Sequence, residues 1–363
     1  MTRIMALPDD TAGGEIDRPG RMTSLRDVAR EAKVSAATVS MVINGNPRIS
    51  RATATRIQRV IEKMGYQPNR LAQSLSSKHT NVVAIMLPAL RHAFADAYFG
   101  EIISGICDKA GKMGYKVMLE QAKPEFVKEK QHVRIFERRF VDGVLCLGTN
   151  DRHRWLADFG MAGCPAMLVD NSVDEFRIDS VVSDYASGAE QVMNYLLQLG
   201  HRKIGLIMAA PEILTSRRVR KVYDAMLTHM DSACREACVA DGKFTEEGGA
   251  AAAEKLLTAH PDMTALFATN DKMAIGAMYH AVRSGLRVPS DLSVVGFDDL
   301  RHSAFVNPTL TTVHLPLYEV GSAAMERLVE RIHGRVDPVA ETLRTHLVVR
   351  QSTAMARSAA TAE

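Results

Sequence analysis

The sequence lacks the features of a membrane-spanning or secreted protein. No apolar stretch in its 363 residues approaches the roughly 20 residues that cross a bilayer. The first 20 residues contain four acidic side chains and no apolar core of signal-peptide length, so residues 1–22 are predicted to be a disordered leader. We therefore expect a cytoplasmic protein that does not bind membranes.

Cysteine is scarce and is not arranged for metal binding. The five cysteines are an odd number and include no Cys-x-x-Cys pair. Reduced thiols are the expectation, and neither a metal site nor another cofactor is predicted.

Common catalytic motifs are missing as well. The chain has no Gly-x-Ser-x-Gly elbow, no Gly-x4-Gly-Lys-Ser/Thr phosphate loop and no His-Glu-x-x-His zinc motif. We predict that the protein is not an enzyme. The enzymatic alternative is a carbohydrate-processing enzyme that uses Asp298 and Asp184.

Positive charge is concentrated in one short segment. Residues 21–78 hold 11 basic and 3 acidic side chains, a net charge of +8, whereas the whole chain carries only +3. Residues 81–363 therefore sum to −3. Because contacts to phosphates supply most non-specific affinity for nucleic acids, a polyanion is the simplest partner for this segment.

The same segment has the pattern of three short helices. Residues 25–45, LRDVAREAKVSAATVSMVING, predict two helices joined by a tight turn, and Ser24, Ser35 and Ser50 can cap the helices that follow them. The expected inward faces are Leu25, Val28, Ala29 and Ala32, then Val39, Val42 and Ile43, then Ile57, Val60, Ile61 and Met64. An apolar interior with a basic exterior indicates a helix-turn-helix headpiece that binds double-stranded DNA. A small helical bundle with a solvated basic face is the alternative.

The long remainder alternates between strands and helices. A buried strand is predicted at 81–88 and further strands at 116–119, 143–147, 166–169, 203–208, 265–268 and 293–296, with helices between them. This rhythm predicts an α/β core, and its length favours two doubly wound parallel-sheet lobes with a ligand cleft between them.

The domain boundaries follow from these patterns. The headpiece covers residues 23–68, a hinge helix and linker 69–80, the core 81–354 and a tail 355–363. Lobe 1 is predicted at about 81–180 and 312–340, and lobe 2 at about 181–311 and 341–354. The segment 69–77 either folds only on DNA or is a plain linker with a helical turn.

Six motifs in register resemble the lactose/galactose-repressor family of bacterial transcription regulators. They are LRDVAREAKVSAATVSMVING, GYQPNRLAQSLSS, LGHRKIGLI, ATNDKMAIGAM, VPSDLSVVGFDDL and NPTLTTVHLP. The resemblance implies a DNA-binding headpiece, a hinge helix and a core like periplasmic sugar-binding proteins. It also implies a homodimer, because two headpieces read the two halves of an inverted repeat.

The resemblance assigns DNA-binding roles to individual residues. The recognition helix would be 36–43, with Ala36, Ala37, Ser40 and Met41 toward the groove. Phosphate contacts or caps would come from Ser35, Thr38 and Asn44, and hinge contacts from Asn69, Arg70 and the minor-groove wedge Leu75. Met41 stands where the family mostly has an arginine that reads guanine, and Lys33 replaces the usual turn glycine, so the operator sequence should differ from that of arginine-bearing relatives.

It also assigns an effector site in the cleft. Asp298 and Asn270 match family ligand contacts, and Tyr98 and Phe99 match an aromatic pair at the cleft mouth, although Phe99 alone could be core. Asn150 and Asp184 follow strands and are further candidates, whereas Asp271 is expected to cap the next helix. An arginine usually completes the set. The candidates are Arg217, Arg218 and Arg220, with Arg220 preferred, and Val222 stands where a glycine is usual.

The sequence therefore predicts a dimeric transcriptional repressor whose affinity for a pseudopalindromic operator is controlled by a small-molecule effector, a sugar or sugar derivative. The alternatives are a DNA-binding regulator without an effector and a cytoplasmic sugar-binding protein.

Overall fold

The computed structural model describes residues 23–43, 46–66, 79–89, 96–176 and 178–357. The chain divides into two compact units between His79 and Thr80. The predicted leader, Asn44, the predicted hinge helix with Asn69, Arg70 and Leu75, and the end of the tail lie outside the described residues.

The first unit contains the three predicted helices. They are α1 (Leu25–Glu31), α2 (Ala36–Ile43) and α3 (Arg51–Lys63). A serine precedes each helix and accepts a main-chain N–H three residues on, because the first N–H groups of a helix have no partner within it. The main-chain N–H of Asp27 donates to the Ser24 hydroxyl oxygen at 3.3 Å, that of Thr38 to Ser35 at 3.1 Å, and that of Thr53 to Ser50 at 3.3 Å.

Each helix contributes at least one buried side chain to the core of this unit. Val28, Val39 and Ile57 are completely buried against one another. Lys33, in the turn between α1 and α2, has a positive φ of 54°. A side chain in this left-handed conformation costs about 1 kcal/mol, so the departure from glycine is tolerated rather than favourable.

The second unit contains a six-stranded parallel sheet. Its strands are β1 (Val82–Pro88), β2 (Lys116–Ala122), β3 (Gly143–Leu147), β4 (Ala166–Val169), β5 (Asp179–Ser183) and β11 (Ala340–Leu343). Their order across the sheet is β11–β5–β4–β3–β1–β2. We call the part of the unit built on this sheet the first lobe.

A four-stranded parallel sheet forms the second lobe. Its strands are β6 (Ile204–Met208), β7 (Val239–Asp241), β8 (Ala265–Ala268) and β9 (Ser293–Val295), in the order β7–β6–β8–β9. β10 (Thr312–His314) and β12 (His346–Val348) pair antiparallel, and Thr311 bridges this pair to Val295 of β9.

Helices lie between the strands, as the parallel connections require. Those of the first lobe are α4 (Ala97–Lys112), α5 (Pro124–Lys128), α6 (Gln131–Glu137), α7 (Ala157–Met161) and α13 (Leu317–Ile332). The others are α8 (Tyr185–Gln198), α9 (Leu214–Met226), α10 (Ser232–Ala237), α11 (Glu246–Ala259) and α12 (Asp271–Arg283). No helix in the described part of the chain is long and apolar enough to span a bilayer.

Glycines let α4 and α13 pack backbone to backbone. A Cβ on Gly105 would lie 2.0 Å from the Tyr318 carbonyl oxygen, and one on Gly321 would lie 2.1 Å from the Ile102 carbonyl oxygen. Since real Cβ atoms do not approach so closely, any side chain at either position would push the two helices apart.

The chain crosses between the lobes after β5, after β10 and after β11. The predicted lobe boundaries at about 180 and 340 are therefore a few residues early, because β5 and β11 belong wholly to the first sheet. The predicted strands are confirmed, and β1 is buried as predicted, whereas β2 is only partly buried. The sequence prediction missed β5, β7, β10, β11 and β12, which are short or only partly apolar, and it did not specify α13.

Asp179 fixes the late strand β11 against the first sheet. Its side chain is fully buried and accepts hydrogen bonds from Arg331 at 2.7 Å and Arg335 at 2.7 Å. The main-chain N–H of Val339, directly before β11, also donates to the Asp179 carboxylate at 3.0 Å and so positions the start of that strand. Burial alone would raise the pKa of this carboxyl, but the hydrogen bonds, led by that of Arg331, lower it overall.

We expect Asp179→Asn to destabilise the core by about 3 kcal/mol, because two arginines lose their buried counter-charge. Urea denaturation of the full chain measures this loss. The matched exposed change Asp337→Asn should alter stability by less than about 0.5 kcal/mol, and equal effects of the two changes would contradict the role of Asp179.

Candidate functional site

The candidate DNA-binding surface is formed by α2 and the basic side chains around it. Ala37 and Met41, four residues apart on α2, are exposed on one face, whereas Val39 on the opposite face is buried. Ser40 is half-buried. Ala36, predicted to face the groove, packs against the core of the unit instead.

The caps of α2 are also defined. Ser35 accepts the Thr38 N–H, and the two hydroxyls lie 2.8 Å apart. Exposed basic residues surround the helices: Arg26, Arg30, Lys33, Arg48, Arg51, Arg56, Arg59 and Lys63. Arg30 pairs with Asp27 and Lys63 with Glu31, which leaves most of this charge without an acidic partner in the described part of the unit. Such a surface suits a polyanion.

In the second unit, Asp298 lies at the carboxyl end of β9, as predicted. The turn that carries it has φ values of 126° at Asp298 and 57° at Asp299. The Asp298 N–H donates to the Val313 carbonyl of β10 at 2.9 Å, so the turn is fixed to a segment that crosses between the lobes. The side chain is 7% exposed.

Asp298 lies among other carboxylates. Burial raises the pKa of Asp298 well above the usual value, and the charges of Asp271, Asp96 and Asp170 raise it further. A hydrogen bond from the main-chain N–H of Asp271 lowers this pKa by a smaller amount. Asp96 and Asp170 belong to the first lobe. The charge of Asp298 is therefore influenced by both lobes.

The predicted roles of Asn270 and Asp271 need correction. Asn270, not Asp271, caps α12, because its side chain accepts the Met273 N–H at 2.8 Å. Asp271 instead accepts from the Leu300 N–H at 2.8 Å and from the hydroxyls of Ser303 and Thr312, each at 2.5 Å. It holds the loops around Asp298 in place.

The sequence prediction missed Asp170, which is central to the first-lobe wall. One carboxylate oxygen accepts from the Tyr98 hydroxyl at 2.7 Å and the Tyr185 hydroxyl at 2.5 Å, and the other from the Ser183 N–H at 2.8 Å. The sequence feature that could have identified Asp170 is its position directly after β4. Tyr98 therefore lies at the cleft, while Phe99 packs against the core and meets the Tyr98 ring edge-on.

The two further candidates have structural partners. Asn150 accepts the Arg152 N–H with its side chain, which closes its own loop. Asp184 caps α8 by accepting the Ser187 N–H at 3.1 Å. Neither side chain is brought to Asp298 by the contacts of the described residues.

The arginine candidates lie apart from Asp298. Arg220 donates to Asp224 at 2.8 Å and Glu236 at 2.6 Å, and Arg217 pairs with Asp151. All three arginines line a pocket of about 790 Å³ between the lobes that also includes Ser172 and Leu214 but not Asp298, Asn270 or Tyr98. The structure thus separates the predicted effector residues into two groups.

Ion pairs join the lobes at the cleft. Lys272 of α12 contacts Asp96, the cap of α4, at 2.8 Å. Arg152 contacts Glu212 at 3.0 Å, in addition to the pair formed by Arg217 and Asp151. Over the described ranges, no group of three or more His, Cys, Asp or Glu side chains is arranged to hold a metal ion.

A basic three-helix unit followed by a two-lobed α/β core defines a DNA-binding regulator with a ligand-binding type of core. Two family models match: bacterial regulatory proteins of the lacI family over residues 24–69, and a periplasmic binding protein-like domain over residues 193–353.

Characterised relatives extend the likeness to most of the chain. Catabolite control protein A of Priestia megaterium is 32% identical, over 91% of this chain and 99% of its own. The transcriptional repressor CytR of Escherichia coli is 30% identical over 91% and 96%. The structure of a lac repressor dimer bound to operator and an anti-inducer matches with a TM-score of 0.80 and 26% identity, over 92% of this chain and all of that one.

The chain belongs to the lacI family of bacterial regulatory proteins, which confirms the predicted family and fold class. It is a transcriptional regulator, and the relatives above are regulators rather than enzymes.

We expect Asp298→Asn to raise the melting temperature, and to raise it more at pH 8 than at pH 5. An acid whose pKa is raised in the folded state holds its proton there longer than in the unfolded chain. Stability is therefore lost as pH rises from the unfolded pKa of about 3.9 through the higher folded pKa. Thermal melts across this range, with Asp337→Asn as control, measure the difference, and a lower melting temperature for Asp298→Asn would refute the assignment of an uncompensated carboxylate.

Proposed function

We propose that the protein is a homodimeric repressor that binds a pseudopalindromic operator and changes its affinity when a small metabolite occupies the cleft at Asp298. The observation that carries this proposal is the pairing, in one chain, of the basic helix-turn-helix unit with a buried carboxylate, that of Asp298, at a strand end of a two-lobed core. The related structures are of a repressor on operator DNA and of a regulator bound to cellobiose, the latter 31% identical with a TM-score of 0.70. Operator binding would place the working protein in the cytoplasm.

In this proposal α2 enters the major groove. Ala37 and Met41 form its exposed face, and neither can make the bidentate contact by which arginine reads guanine. Base recognition would then depend on apolar contact with thymine methyl groups and on Ser40. By resemblance, Asn44, Asn69 and Arg70 would add backbone contacts and Leu75 would be the minor-groove wedge.

The effector would act on the closure of the lobes. The acids Asp96 and Asp170 of the first lobe raise the pKa of Asp298, and the turn of Asp298 is bonded to β10, where the chain crosses between lobes. A ligand that binds only when the lobes are close would favour the closed state, and its differential affinity sets how far DNA binding can change.

A second candidate is a regulator whose core needs no effector. It is favoured by the ion pairs of Lys272 with Asp96 and of Arg152 with Glu212, which join the lobes without a ligand. The two candidates differ in one measurement: only the first expects operator affinity to change with a metabolite.

An exposed apolar stripe on α12 supports the dimer. Tyr279 and Val282, three residues apart, are 59% and 58% exposed. Large apolar side chains at neighbouring positions on a helix are typical of a surface that a second subunit covers.

We expect Met41→Glu to weaken operator binding at least tenfold, because it places a negative charge beside the phosphates and bases. Fluorescence anisotropy with a duplex selected from a random-sequence library measures the affinity. The control is Met161→Glu, at an exposed methionine on α7 of the core, which is 77% accessible compared with 41% for Met41. If both variants bind like the parent, α2 does not read DNA.

We expect Val282→Asp to shift the protein from dimer to monomer, since an unpaired charge is costly in an apolar interface. Val336→Asp is the matched control, because Val336 is 83% exposed outside the helix. Analytical ultracentrifugation distinguishes the two states. A dimer that persists with Val282→Asp would move the interface away from α12.

A further inference from the structure

Buried polar side chains lie at the carboxyl ends of four strands of the core, and three of them have an atom without a hydrogen-bond partner. Asn171 Oδ1, Ser183 Oγ and Thr269 Oγ1 are buried and have no hydrogen-bond partner among the described residues. They follow or end β4, β5 and β8. Asp298 follows β9, and no side chain in the described ranges donates to it. Since buried polar atoms are nearly always satisfied, we expect a bound molecule to hydrogen-bond here. The two hydroxyls can donate or accept, whereas the Asn171 oxygen and the Asp298 carboxylate need donors.

The orientation of Asn171 makes its oxygen a true acceptor. Its Nδ2 already donates to the Thr149 carbonyl at 3.0 Å and to the Thr149 hydroxyl at 3.2 Å. The amide oxygen is therefore the group that remains for a ligand.

The carboxylates around Asp298 each have side-chain donors, whereas Asp298 has the main-chain N–H of Asp271 and no side-chain donor among the described residues. Asp170 accepts three hydrogen bonds, as does Asp271. Asp96 pairs with Lys272. Lys272 is the cation that the contacts place at the acidic wall, and it already forms an ion pair with Asp96. Asp298 therefore has no positively charged partner in the described structure.

The arginines cannot supply that counterpart. The guanidinium groups of Arg217 and Arg220 are held by Asp151 and by Asp224 and Glu236, and Arg218 is exposed along α9. An anionic ligand at Asp298 would thus meet a surplus of negative charge and of acceptors, with no arginine to receive it.

We propose that the effector carries a protonated amine that donates to Asp298 and to neighbouring acceptors at the strand ends. An ammonium group offers three donors and the missing positive charge, whereas a hydroxyl offers one donor and no charge. This inference rests on the proposed function, since it names the ligand class of the same cleft.

Scaffold-matched ligands test the proposal by isothermal titration calorimetry on the full chain. The sets are glucosamine, glucose and glucose 6-phosphate; galactosamine, galactose and galactose 6-phosphate; and putrescine against 1,4-butanediol. We expect at least one amine to bind at least tenfold more tightly than its hydroxyl counterpart, and the phosphates not to bind. Failure of every amine to bind, or a hydroxyl or phosphate form that binds as tightly as its amine, overturns the proposal.

Two further measurements tie the amine to Asp298. Asp298→Asn should weaken amine binding at least tenfold. The exposed control Asp337→Asn should bind the amine as tightly as the parent protein does. With the parent protein, amine affinity should fall as pH rises through the pKa of the amine itself, a result that does not depend on how the variant folds. If amine affinity changes neither with Asp298→Asn nor with pH, the assignment of the amine to Asp298 is wrong.

Operator binding measured on the same preparations separates the two levels of inference. If the selected duplex binds but no amine does, the ligand class is wrong and the regulator stands. If the duplex does not bind, the proposed function itself fails.

Discussion

The arrangement of the cleft depends on one buried carboxylate, that of Asp271. It is 1% exposed, in the first turn of α12. It accepts from a main-chain N–H and two hydroxyls of the segments that follow β9 and begin β10: Leu300, Ser303 and Thr312. Gly296 leaves room for it, because a Cβ there would lie 2.3 Å from its Oδ1. The turn of Asp298 is fixed as a consequence, between α12 and a strand that leads into the other lobe.

Charge is distributed in opposite ways in the two units, and each distribution suits its role. The helices of the first unit expose cations with few acidic partners, which favours a phosphate backbone. The wall at Asp298 collects acids, of which Asp96 pairs with Lys272, while Asp170 and Asp271 accept hydrogen bonds from uncharged donors built into the fold. A carboxylate left over in such a setting is costly for stability, so its retention is more readily explained by binding than by folding.

The crossing segments explain how one part of the core can influence another. Asp298 is bonded through its main chain to Val313, and Asp299 accepts from Arg350 at 2.6 Å and contacts His314 at 3.1 Å. These partners lie on or beside β10 and β12, where the chain passes between lobes. In the proposed function, a ligand at the carboxylate would therefore act on the segments that must bend when the lobes move.

The sequence by itself determined the helices of the first unit, the buried strands and Asp298 at a strand end, because local periodicity, caps and continuous apolar runs report directly on these features. Only the tertiary structure decided the pairing of β5 with β11, the capping of α12 by Asn270 rather than Asp271, the importance of Asp170 and the engagement of Arg220 elsewhere. The physical reason is that each of these depends on a partner distant in the chain. Asp170 meets Tyr98 across 72 positions and Asp271 meets Thr312 across 41, and no local pattern records which of several nearby donors a carboxylate will find.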